Sequence, residues 1–231
     1  MAIRALLFDV YGTLLDVHGL TAALEALAPG QGAALSALWR QKQIEYTRLR
    51  TLSDRYAPFD QLTADGLDFA AEKLGVHLTA PQRTELLGAY ETLPAHPDAA
   101  STLLALNERG LTLGALSNGT PRMLATALAA AGLTAQLSVV LSVDAVKAYK
   151  TAAAAYDLGP EALGLASGEI GFVSSNAWDA AGASWFGYRV FWVNRGREPM
   201  ERLGVTPEAE GRSLAEVVTW VDADLTNITS R

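Results

Sequence analysis

The run IRALLFDVYGTLLD (residues 3–16) opens with apolar residues and then turns polar at Asp9. Residues 3–10 are too few for a stable helix and are bounded by a Gly-Thr turn. They read as a strand buried on both faces. A strand of that kind belongs to a parallel sheet covered by helices. Its last residues include a carboxylate, Asp9, held where a buried strand emerges. The question is what chemistry an isolated aspartate does there, since Tyr11 stands two residues later where a second carboxylate could have been.

Similar apolar runs recur downstream: LTLGALS ending at Ser117, IGFVSS ending at Ser175, YRVFWVN ending at Asn194, and a weaker LSVVLSV over 137–143. Helical patterns over 122–131, 152–158 and 177–186 separate them. Alternating strands and helices predict an α/β fold with a doubly wound parallel sheet. Between residues 17 and 93 the pattern is helical only. In LSALWRQKQIEYTRLR, the residues Leu35, Leu38, Trp39, Tyr46 and Leu49 fall on one helical face. This block is expected to form a helical cap over 17–93, inserted into a core of 1–16 and 94–231. LPAHPD (93–98) is the return hinge. The cap then stands over the strands' C-terminal edge, where open α/β sheets bind ligands.

Composition narrows the function. Of 231 residues, 50% are hydrophobic and 19% charged, so the chain is globular. A net charge of −7 argues against nonspecific nucleic-acid binding. With no cysteine, thiolate nucleophiles, thiolate metal sites and disulfides are excluded. No apolar run approaches the roughly 20 residues of a membrane span. The N-terminal stretch lacks the plan of a signal peptide. A cytoplasmic protein without membrane or nucleic-acid partners is expected.

Polar residues follow the strands and should meet at one rim: Asp9 and Thr13, then Ser117 and Asn118, then Ser174, Asn176 and Asp179, with Lys150 ahead of a helix. Any one set is ordinary turn and cap chemistry. Together, under a cap, they outline a site. In SNGTPR (117–122), Thr120 suits an N-cap and Pro121 the first helical position, so free N–H groups there suit a carboxylate or phosphate. Lys150 can pair with Asp9 or Asp179, whereas Lys147 is expected at the surface. Arg40 shares a second helix face with Ile44 and Thr47, which suits either solvent or the roof of a small-anion pocket. His18, His77 and His96 are scattered and suggest neither a triad nor a metal set.

FDVYGTL, SALWRQKQIEYTRLR, LSNGTP, LSVDAVKAYK and FVSSNAWDAAGA together resemble the (S)-2-haloacid dehalogenases (L-2-haloacid dehalogenases, type II) of the haloacid dehalogenase superfamily, over nearly the whole chain. The resemblance implies that Asp9 is the nucleophile attacking C2 of a 2-haloacid. Thr13, Ser174 and Lys150 would orient and charge-balance it. Ser117, with backbone N–H groups after Asp9 such as that of Val10, would hold the substrate carboxylate. Arg40, Asn118 and Trp178 would receive the halide. Tyr11, Gln41, Ile44, Phe59 and Tyr156 would line the pocket, and Asn176 and Asp179 would place or activate water. It also implies a homodimer formed through the cap. One departure is Thr151, where the family usually has proline. A capping threonine and a loop of altered stiffness are expected there.

This resemblance answers the opening question. A halide leaves as a stable anion and needs no proton, so no acid is required beside Asp9. Phosphatases of the superfamily place an aspartate at the position of Tyr11 to protonate an alcohol, and an unperturbed tyrosine, with pKa about 10, is a poor substitute. They also hold Mg²⁺ with an acid at the position of Ser175, so neither metal nor cofactor is expected here. The alternatives are a phosphatase or phosphonatase on the same fold, and a non-catalytic binding protein.

Overall fold

The computed structural model describes residues 2–229, and side chains up to residue 226. Strand β1 (Ala5–Phe8) is followed by four helices, α1 (Thr21–Leu27), α2 (Gly32–Leu52), α3 (Phe59–Leu74) and α4 (Ala80–Tyr90). The chain then alternates: α5 (Ala99–Asn107), β2 (Thr112–Ser117), α6 (Pro121–Ala130), β3 (Val139–Ser142), α7 (Ala153–Leu163), β4 (Ile170–Ser174), α8 (Ala177–Phe186), β5 (Arg189–Val193), β6 (Ala209–Gly211) and α9 (Ala215–Thr229).

The sheet has six strands in the order β3-β2-β1-β4-β5-β6, with every neighbouring pair parallel. β1 is central and buried throughout, as its unbroken apolar run requires. The chain winds from β1 toward β2 on one side and reaches β4 on the other. The order therefore reverses at β1, the point at which such sheets open a crevice. Phe8 is level with Ala115 of β2 and Val173 of β4, so Asp9 emerges beside Leu116 and Ser174. The five strands read from the sequence are present. β6, with the sequence AEG, is a sixth, and three residues with no apolar run carry no periodicity to detect.

The helices α1–α4 occupy the stretch read as a cap. α2 packs on α3 through small and polar contacts. Gly66 lets the backbones approach, the Trp39 indole donates to the Thr63 carbonyl at 2.7 Å, and Gln43 Nε2 donates to Thr63 Oγ1 at 2.9 Å. The buried face of α2 is therefore Leu35, Trp39, Gln43, Ile44 and Thr47. Leu38 and Tyr46 are only half-buried, and Leu49, placed on the inward face by its spacing, is 54% exposed. Gln43 and Thr47 take the inward positions because neighbouring backbone and side-chain groups satisfy them. The chain leaves and re-enters the sheet layer along paired segments: Asp16 N–H donates to Pro94 O at 2.8 Å and His96 N–H to Leu14 O at 2.9 Å.

Two helix ends bear on the site. α6 begins as expected, with Thr120 Oγ1 accepting from Met123 N–H and Pro121 at its first position. α7 differs. Its N-cap is Ala152, without a side-chain cap, so Thr151 does not cap it. α7 also runs through Pro160, beyond the expected end at 158. Proline lacks the N–H that would bond Tyr156 O one turn earlier. That carbonyl instead accepts from the Tyr188 hydroxyl at 2.5 Å, so the acceptor that proline leaves without a partner is satisfied from a distant segment. Among the described residues no helix is long and apolar enough to cross a membrane.

Candidate active site

Asp9 is held by three side chains. Its Oδ1 accepts from Lys150 Nζ at 3.1 Å, and its Oδ2 accepts from Thr13 Oγ1 at 3.1 Å and Asn176 Nδ2 at 2.9 Å. The turn that allows this uses Gly12 at φ +95°, a conformation L side chains rarely adopt. It folds Thr13 back beneath Asp9. Thr13 Oγ1 accepts the Ser175 N–H at 2.8 Å, which leaves its own proton free for Asp9. Ser175 Oγ in turn donates to Gly12 O at 2.5 Å, clasping the β1 turn to the end of β4.

Lys150 is 1% exposed, which disposes of a surface lysine at this position. Its ammonium bridges Asp9 and the fully buried Asp179, whose Oδ2 lies at 3.0 Å. Burial pulls the lysine pKa down, but the charges of Asp179 and Asp9 and their hydrogen bonds outweigh it, and the net shift is upward. Asp179 moves upward, because desolvation and the Asp9 charge together outweigh the opposing pull of Lys150. Tyr156 also opposes that rise by donating to Asp179 Oδ1 at 2.7 Å. Its own phenol is pushed well above the usual range, by burial first and by Asp179 next, so it remains a donor. Tyr156 lies fully buried beneath the site as a support for Asp179. Lys147, by contrast, is at the surface, paired with Asp144.

The remaining predicted residues are placed as follows. Asn118 Oδ1 accepts the Lys150 backbone N–H at 3.1 Å, joining the end of β2 to the lysine loop. Ser117 Oγ accepts from Gly119 N–H at 3.2 Å. Ser174 Oγ accepts from Asn176 N–H at 3.1 Å, orienting the loop that delivers Asn176 to Asp9. Among the described residues the backbone N–H of Val10 donates no hydrogen bond. Arg40 reaches from α2 to the β1 turn, donating to Tyr11 O at 3.2 Å and to Tyr90 OH at 3.4 Å. Tyr11 is buried, stacked on Tyr90 at 5.4 Å between ring centroids and near Phe59 at 5.9 Å. Burial pushes its phenol far up, and its hydroxyl has no partner among the described residues. Ile44 is buried on α2, Trp178 is half-buried in the first turn of α8, and Gln41 is exposed.

Sequence reasoning missed Ser175 as a structural partner of Thr13 and Gly12. It had weighed Ser175 only as a missing acid. It also missed the Tyr156–Asp179 bond, which no spacing in the sequence encodes. Chemically, the cluster is a carboxylate oriented by an ammonium, a hydroxyl and an amide, with a second carboxylate on the far side of the ammonium. Such a group can attack an electrophilic carbon, with a base close by for a later water.

A family model for haloacid dehalogenase-like hydrolases matches residues 3–187. The chain is 45% identical to an (S)-2-haloacid dehalogenase of Pseudomonas sp. (strain YL) over 216 residues, 94% of this chain and 93% of that one. The L-2-haloacid dehalogenase RSc1362 superposes with a TM-score of 0.95 at 46% identity, covering 96% of this chain and 100% of the other. The L-2-haloacid dehalogenase from Xanthobacter autotrophicus, solved with chloropropionic acid covalently bound, superposes at 0.88 with 35% identity, covering 95% and 98%.

Proposed function

This chain belongs to the haloacid dehalogenase-like hydrolase family, and on that premise we propose that it hydrolyses the carbon–halide bond of short (S)-2-haloalkanoates, giving (R)-2-hydroxyalkanoates. The observation that carries this reading is Asp9 in its three-donor cradle, with the buried aromatic Tyr11 in place of an acid.

An Asp9 oxygen attacks C2 in line, the C–X electron pair leaves with the halide, and an ester forms on Asp9 with inversion at C2. Ser117 and the Val10 N–H hold the substrate carboxylate. Arg40, Asn118 and Trp178 take the halide. Tyr11, Ile44, Phe59 and Gln41 bound the alkyl group, and Tyr156 contributes through Asp179. Water then adds to the ester carbonyl as Asp179 accepts one of its protons. The ester C–O bond breaks with that proton passing to the departing oxygen of the hydroxy acid, and Asp9 is left as a carboxyl group that loses its remaining proton to solvent. Asp179 is suited to this because its two oxygens accept one hydrogen bond each from Lys150 and Tyr156, and a carboxylate has room for more. Lys150, Thr13 and Asn176 orient Asp9, and Ser174 orients Asn176.

The same reading makes the reaction independent of metal. Lys150 already neutralises the carboxylates that a phosphatase would give to Mg²⁺, and Ser175 offers no anionic ligand. The cap is taken as 17–93 and the core as 1–16 and 94–231. The working form is taken to be a cytoplasmic homodimer, with Leu49 and Leu52 of α2, 54% and 85% exposed, as apolar side chains that a second copy would cover. The deciding assay is halide release from each enantiomer of 2-chloropropionate, with and without EDTA. Release from the (S) form in both conditions is expected. No release, or complete loss in EDTA with recovery on Mg²⁺, would refute the reading in favour of a metal-dependent phosphatase-like enzyme.

A further inference from the structure

α2 carries a second guanidinium that meets the first turn of α8. Two turns beyond Arg40, Arg48 places its guanidinium carbon 5.4 Å from the centroid of the Trp178 ring. Trp178 lies two residues after Asn176, whose amide holds Asp9, and one residue before Asp179. Arg48 is therefore one contact of the cap helices with the first turn of α8, as Arg40 is one with the β1 turn.

The two arginines differ in setting. Arg40 donates to Tyr11 O and Tyr90 OH, whereas Arg48 is exposed and has no carboxylate partner among the described residues. The acid one turn before it on α2, Glu45, is paired with Lys42 at 2.8 Å. A protein of net charge −7 repels an incoming carboxylate. An exposed and uncompensated guanidinium over the aromatic residue beside Asn176 offers local attraction where the substrate must arrive. Its planar fork can also pair with a carboxylate while stacked on the indole.

We infer that Arg48 is a positioning and charge-selecting residue for the anionic substrate: it draws the haloacid carboxylate toward the cleft and holds the Trp178 ring against the cap. The inference rests on the haloacid reading above. One unit charge about 5–10 Å from a passing carboxylate in a water-like dielectric changes its local concentration about two- to four-fold. Holding the indole by an exposed cation–π contact adds a factor of about two to five.

The test is steady-state halide release from (S)-2-chloropropionate by the full-length parent, R48Q and R48K, at ionic strengths of about 0.01 M and about 0.15 M set with a non-halide salt. Screening shortens from about 30 Å to about 8 Å across that range. The parent's kcat/KM should fall with salt. R48Q should lose about four- to twenty-fold in kcat/KM at low salt, through KM and with kcat within about two-fold, and its salt dependence should flatten. R48K should restore the salt dependence. An R48Q variant with the parent's salt dependence overturns the assignment, whether or not its melting temperature or kcat falls, because a purely structural role would leave that slope unchanged. A parent that releases no halide overturns the haloacid reading itself, and Arg48's role with it.

Discussion

Replacing Lys150 by methionine keeps an unbranched side chain one atom shorter and removes the charge between two buried carboxylates. Lys150 Nζ lies 3.1 Å from Asp9 Oδ1 and 3.0 Å from Asp179 Oδ2. At an effective dielectric of about 20, each pair attracts by about 5 kcal/mol. Much of that is cancelled by the desolvation the lysine no longer suffers. What remains is the cost of leaving buried charge unpaired, about 3–5 kcal/mol at pH 7. For a chain of this length that corresponds to roughly 6–20 °C in melting temperature.

The pH dependence sharpens this prediction. Burial already raises Asp179, and Lys150 is the chief group holding it down. Without Lys150 its folded pKa rises further above the unfolded value of about 3.9. A raised folded pKa gives stability that is complete below the unfolded pKa and is lost as pH rises through the folded one. In the parent, Lys150 is itself raised, so its contribution is complete below about 10.4 and is lost only in more alkaline solution. K150M should therefore approach the parent in stability toward pH 4–5 and fall away from it toward pH 8. Thermal unfolding across that range is the assay, with K150M/D179N as a control that removes one of the stranded charges. The double variant should be more stable than K150M at pH 7, and halide release should be abolished in both. A gap that widens on acidification, or strictly additive effects of the two substitutions, would refute the buried triad as the organising feature.

Two further substitutions probe the cradle. Y156F removes the donor 2.7 Å from Asp179 Oδ1 that holds that carboxyl down, so the acid limb of the kcat–pH profile should move to higher pH, and an unmoved limb would contradict this reading. T13V leaves the Ser175 N–H without its acceptor and Asp9 with one donor fewer, which should cost about 1–3 kcal/mol of stability by denaturant unfolding. It should also lower kcat about 10²-fold through misplacement of the nucleophile, and a T13V variant with the parent's kcat would remove Thr13 from the mechanism.

The parallel sheet was legible because buried strands of β-branched and apolar residues leave unbroken runs, and β1, β2, β4 and β5 each end in such a run. The placement of Asp9, Thr13, Asn176 and Asp179 followed, since register in a parallel sheet brings successive strand ends to one rim. The inward turn of Gln43 and Thr47 was not legible, because polar residues on a helix look solvent-facing until their partners are known. Pro160 inside α7 and the role of Tyr156 depend on the bonds of Tyr156 to Tyr188 and Asp179, 32 and 23 residues from it in sequence, and no local pattern anticipates such pairs. Ser175 shows the same difficulty: its residue type suggested a missing ligand, whereas its position makes it the clasp between two strand-end turns.

The central claim is that Asp9 itself becomes bonded to carbon. A single turnover in ¹⁸O-water, with enzyme in excess over (S)-2-chloropropionate, tests it directly. If Asp9 attacks C2, the first hydroxy acid released carries the unlabelled oxygen of Asp9, and mass spectrometry of the peptide spanning residues 5–16 finds ¹⁸O in the Asp9 carboxylate. ¹⁸O in the first product, with an unlabelled Asp9, means that water attacked carbon directly and contradicts the account.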